Sequence, residues 1–141
     1  MIANLRKQLE SLNGIRFTDN EWKRFFSVHL ANANEGIAEK TRKIQEGDSR
    51  INFKRDDGLT KNIALINKID IHANTLQVIN QYENDAGTYK NRYDVTVLVN
   101  GLHLVHFELK RRGVEIREAF NQINRYQRDS FWAASGLFEY V

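Results

Sequence analysis

Apolar residues recur at intervals of three and four along the first third of the chain. Ile2, Leu5, Leu9 and Leu12 fall on one stripe, and Asn13-Gly14 closes it, which predicts a short amphipathic helix ending in a glycine cap. Thr18 or Asp19 is placed to cap a second helix, with Glu21 at the position a capping box rewards and Trp22, Phe25, Phe26, His29 and Leu30 on its apolar side. Residues 35–45 read as a third helix, thinly apolar, broken by Glu46-Gly47-Asp48. Beyond Gly47 the period falls toward two. Residues 50–54, 62–67 and 76–82 read as strands of one sheet, separated by Asp56-Asp57-Gly58 and by a polar bend at 72–74. A polar loop over 84–91 leads to the strongest pair of strands, 93–99 and 102–109, joined at Asn100-Gly101. The helical period returns over 114–128, and residues 136–141 begin as another strand would. The expected architecture is α/β, a mixed central β-sheet flanked by helices. A chain that stops inside a strand reads as a piece of a longer polypeptide.

Register decides what the last two strands carry. Odd positions Tyr93, Val95, Val97, Val99, Val105, Phe107 and Leu109 are apolar, whereas the even ones include Asp94, Thr96, His106, Glu108 and Lys110. A two-residue turn at Asn100-Gly101 with regular pairing would set Asp94 opposite Phe107 and mix the two sets. One extra residue restores the parity, and a three-residue loop with a bulge at left-handed Gly101 supplies it. The expectation is therefore an apolar core face, a polar site face, and convergence of Asp94, Glu108 and Lys110.

Composition narrows the classes. A chain of 141 residues suits a single domain with its own core. The absence of cysteine removes disulfides, thiolate zinc sites and thiol catalysis, and fits a reducing compartment. No run approaches the ~20 apolar residues of a membrane span and residues 1–10 lack a signal-peptide core, so the cytoplasm is expected and a membrane is not. A net charge of +3 is compatible with an anionic partner without requiring one.

Two carboxylates with a backbone carbonyl and waters suit magnesium or manganese. Such an ion would polarise a phosphate and activate water, while Lys110, on the same face as Glu108, steadies the developing charge. An ordinary solvated strand edge would show the same three residue types. Gln122 and Tyr126, four apart on the next helix, share a face and could orient the ligands or a nucleotide, although Tyr126 also fits an apolar stripe with Ile116, Ala119 and Ile123. Arg111, Arg112, Arg117, Arg125 and Arg128 gather near the proposed site and suit phosphate contacts. His103 and His106, three apart on a strand, are expected to face opposite sides and to serve packing or surface roles.

The segments from Asn91 to Gly101, Phe107 to Val114 and Arg117 to Tyr126 closely resemble the endonuclease domain of type I restriction enzyme R subunits, a branch of the PD-(D/E)xK nucleases. The resemblance is strongest over 91–130 and extends more weakly upstream. It implies a restriction-endonuclease-like core in which Asp94 and Glu108 are metal ligands, Lys110 is the catalytic lysine, and Gln122 and Tyr126 support nuclease function. It implies a type I site-specific deoxyribonuclease acting on double-stranded DNA with a divalent ion, Mg2+ or Mn2+. Site recognition would come from a specificity subunit and modification from methyltransferase subunits.

Tyr93 stands where the superfamily name has proline, which is not a ligand. A further glutamate on an early helix, frequent in that superfamily, is not matched by Glu10, Glu21 or Glu39 and could lie upstream of Met1. No Gly-x-x-x-x-Gly-Lys-Ser/Thr segment occurs, so ATP would be bound only by motor domains outside this chain. Two other readings remain open: a non-catalytic DNA-binding or docking module on the same scaffold, and a repair or recombination nuclease of the same superfamily.

Overall fold

The computed structural model describes residues 2–84, 91–113 and 115–129. Helix α1 (Ile2–Asn13) leads into α2 (Asp19–Phe25), which runs on as a π-helical turn, Phe26–Leu30, and is followed by α3 (Ile37–Gln45). Strands β1 (Arg50–Lys54) and β2 (Thr60–Ala64) form one antiparallel ribbon; β3 (Leu76–Asn84), β4 (Asn91–Val99) and β5 (Leu102–Phe107) form a separate antiparallel sheet in that order, before α4 (Ile116–Asp129). The α/β expectation holds, but the strands that read as one sheet lie in two. Between β2 and β3, Asn67 and Asn74 exchange two hydrogen bonds, and Asp70 caps a 3-10 turn, Ile71–Ala73, so the chain turns away from the first ribbon. Residues 136–141 lie outside the described residues. No helix among the described residues is long and apolar enough to cross a membrane.

The core gathers where the helical stripes meet the first ribbon. Leu5, Leu9, Phe17, Trp22, Phe25 and Leu30 pack with Ile51, Phe53, Ile63 and Leu65. The phenylalanines at 17, 25 and 53 contact one another at centroid separations of 5.2 to 5.9 Å, so the aromatic run of the second helix is core. Thr18 and Glu21 form the expected capping box. Glu21 does more: buried, it also accepts two bonds from the Arg55 guanidinium at 3.0 and 2.9 Å and one from the Asp56 N–H, tying α2 to the β1–β2 turn.

Asparagines clamp the elements together. The Asn13 side chain donates to the Ala64 carbonyl and accepts from the Ala64 N–H at 2.9 and 2.7 Å, as another strand's peptide would. Asn100, buried in the β4–β5 turn, donates to Leu65 O and Asn74 Oδ1 and accepts from the Thr75 N–H. Nothing in the asparagine-rich composition foretold these roles.

The β4–β5 hairpin differs from expectation in one informative way. Asn100 and Gly101 both have positive φ, 52° and 82°, and Val99 pairs with Leu102, so the turn has two residues and no bulge at Gly101. The extra residue sits inside β5. Leu98 pairs with His103 and Val97 with Val105, leaving Leu104 as the bulge, and Leu104 packs on the core. Parity is restored as the polar pattern demanded, by an extra residue three positions later.

The assignment of faces also changes. Thr96, Leu98 and His103 are buried, whereas Val105 and Phe107 of β5, with Leu76 and Val78 of β3, are exposed. The even face of β4 is the covered one because α1 lies over it: Asn4 donates to Gln77 at 2.8 Å, and the Gly101 backbone approaches Leu5 so closely that a Cβ there would stand 2.7 Å from Leu5 Cα. The odd face is exposed at Leu76, Val78, Val105 and Phe107, while Leu102 at its turn end is buried in the core.

Candidate active site

Asp94 and Glu108 are the residues that directly follow the last pair of the ladder, Val95 and Phe107. Asp94 Oδ2 accepts the Leu109 N–H at 2.8 Å, so the β4 carboxylate fastens the segment leaving β5. On that segment Lys110 Nζ donates to Glu108 Oε1 at 2.5 Å and to Gln122 Oε1 of α4 at 2.6 Å. The Glu108 side chain is only 6% exposed, which strengthens its attraction to the ammonium over that of a solvated pair.

The structure thus brings together Asp94, Glu108, Lys110 and Gln122. Tyr126 follows Gln122 by one turn of α4, and its side chain, like those of Arg125 and Arg128, lies outside the described residues. Arg111, Arg112 and Arg117 are exposed around the exit of β5 and the start of α4. Among the described residues no group of three or more His, Asp or Glu is placed to hold a metal. Glu10 accepts from Arg6 and from the Phe17 N–H, and Glu21 is the hub described above.

Sequence reasoning missed the layer behind the carboxylates. Because Leu104 is bulged, His103 and His106 share the covered face, their rings edge to face at 6.0 Å, instead of pointing apart. His106 Nδ1 lies 2.8 Å from Thr96 Oγ1, directly across the ladder. Burial pushes both imidazoles down to about 4, with mutual repulsion adding to the effect on His103, so both are neutral at pH 7. The Asn-Gly pair is the signal that could have revealed this, since it demands a two-residue turn and moves the needed extra residue into the strand.

The sequence profile described as "Type I restriction enzyme R protein N terminus" matches residues 1–141. The chain belongs to this family. It is 50% identical over its whole length to the type I restriction enzyme EcoprrI endonuclease subunit of Escherichia coli, covering 44% of that protein. It is 39% identical over 96% of its length to the SsaAORF53P endonuclease subunit of Staphylococcus saprophyticus and 36% identical to the SauMSSORF170P subunit of Staphylococcus aureus, covering 13% and 14% of those proteins. This R-protein N-terminal chain therefore spans less than half the length of these relatives.

Proposed function

We propose that this chain is the metal-dependent nuclease domain of a type I restriction enzyme R subunit and hydrolyses phosphodiesters of double-stranded DNA without sequence preference. The supporting observation is the Lys110 ammonium between Glu108 and Gln122, with the Asp94 carboxylate on the N–H of the adjoining Leu109. Two adjacent carboxylates offer the hard oxygen donors that magnesium or manganese takes, so Asp94 and Glu108 would hold the ion, completed by a backbone carbonyl and waters. Such an ion supplies polarisation of the phosphate and a more acidic water. Lys110 offsets negative charge developing on the phosphate or on the attacking oxygen, and Gln122 holds the ammonium beside Glu108. Tyr126, one turn along α4 from Gln122, would share that supporting role in this reading. Arg111, Arg112 and Arg117, with Arg125 and Arg128, hold DNA phosphates, which carry affinity but no sequence information.

In this reading residues 1–141 form one nuclease domain within a longer R subunit of the cytoplasm. ATP is bound by motor domains outside this chain, and specificity and methyltransferase subunits complete the complex. Asp94→Ala or Lys110→Ala in the full-length R subunit is expected to abolish DNA cleavage and leave ATP-driven translocation intact. Undiminished cleavage by both variants, or loss of translocation as well, overturns a cutting site confined to these residues.

The Glu108–Lys110 ion pair favours a second reading, a DNA-docking module in which the carboxylates only neutralise cations. Manganese titrated calorimetrically into the chain separates the two. The nuclease reading expects binding that Asp94→Ala removes, and the docking reading expects none.

A further inference from the structure

Asp94 and Glu108 stand one step past the last pair of the β4–β5 ladder, where the Leu109 N–H on Asp94 Oδ2 joins the two segments. The side-chain pair next to them on the same face is Thr96 and His106, two residues along each strand. Thr96 is fully buried, and its hydroxyl meets His106 Nδ1 at 2.8 Å. At a covered cross-strand position of this size valine is the ordinary occupant, because burying a hydroxyl and an imidazole costs free energy that their mutual hydrogen bond only offsets. The pair also has a backing. The Leu104 bulge turns His103 onto the same face, its ring edge-on to His106, while Leu104 itself is held by the core.

We propose that Thr96 and His106 are positioning residues, whose hydrogen bond across β4 and β5 sets the spacing and direction of Asp94 and Glu108 for a shared divalent ion. The inference rests on the nuclease reading and adds to it the layer that orients the ligands. Groups hydrogen-bonded to metal ligands, when lost, typically cost about 10- to 100-fold in metal affinity, and a pair one step behind the ligands sets the low end of that range.

The test is calorimetric titration of manganese into the full chain and its variants, with thermal unfolding recorded on each. Thr96→Val keeps the shape and removes the hydrogen bond, and it is expected to weaken manganese binding by roughly 10-fold or more. Thr96→Ser restores the hydroxyl and is expected to bind as the unaltered chain does, a rescue that a purely packing role for the threonine methyl would not produce. A folded Thr96→Val chain with unchanged manganese affinity overturns the inference while leaving the nuclease reading standing. Should Thr96→Val fail to fold, His106→Asn, which keeps a polar atom near the Nδ1 position, is compared with His106→Leu, and equal affinities overturn it. If the unaltered chain binds no manganese, the site formed by Asp94 and Glu108 within this chain falls and this inference falls with it.

Discussion

Lys110 Nζ lies 2.6 Å from Gln122 Oε1, so the segment that carries Glu108 out of β5 is tied to α4 through the ammonium that the proposed chemistry uses. Gln122→Leu removes that tie without removing the ammonium. Cleavage by the full-length R subunit is expected to fall roughly 10- to 100-fold, the scale of losing a group that orients a reacting side chain. Stability should change by no more than about 0.5 kcal/mol, as for a surface substitution. Cleavage rates paired with denaturant unfolding check both, and undiminished cleavage would remove α4 from the site.

Glu21 links the stability of the domain to acid. Hydrogen bonds from Arg55, opposed by burial and helped by the Asp56 and Thr18 N–H groups, hold its carboxyl at about 2, below the ordinary 4.5. The unfolded chain therefore binds the proton more readily between those values, so the contribution is complete above about 4.5 and is lost as pH falls toward 2. Glu21→Gln is expected to destabilise the fold at pH 7 by about 3 kcal/mol, the low end for breaking a buried pair because Arg55 keeps some solvent contact. It should also flatten the acid dependence in that window, as followed by unfolding at pH 2.5, 3.5 and 5.

His103 acts at milder acidity. Burial holds its folded pKa at about 4 against an ordinary 6.5, so the unfolded state takes up protons first as pH drops. Stability is expected to decline from pH 6.5 toward pH 4, and His103→Leu should remove part of that decline. Imidazole resonances followed by NMR report the folded pKa directly; a value near 6.5 would refute the burial argument.

Gly101 serves both the turn and the helix packed on it. Its φ of 82° and the Leu5 backbone 2.7 Å from any added Cβ each oppose a side chain. Gly101→Ala is expected to cost about 2 kcal/mol or more, since backbone strain and steric conflict add. Gly58, also of positive φ but with open space around it, is the control: Gly58→Ala bears the strain alone and should cost less in the same urea titration.

Local chemistry made much of this fold readable. The helical stripes, the Thr18–Glu21 capping box and the Asn100-Gly101 turn all depend on residues within a few positions of one another. The order Asp94, Glu108, Lys110, Gln122 was readable too, and the demand for one extra residue between Asp94 and Glu108 followed from the parity of the polar positions. The location of that residue was not. Leu104 is bulged where its side chain reaches the core, while the turn accommodates both positive-φ residues without one.

Which side of the second sheet would be covered could not be read from alternation, because both faces of β4 carry residues that tolerate burial. Period and spacing established the elements and the sequence of chemical groups along them. The contacts of α1 with the sheet, Asn4 to Gln77 across 73 residues and Leu5 against Gly101, selected the face that is buried and with it the setting of Thr96, His103 and His106. Periodicity records how a segment meets some apolar neighbour, and only the packed chain specifies which neighbour that is.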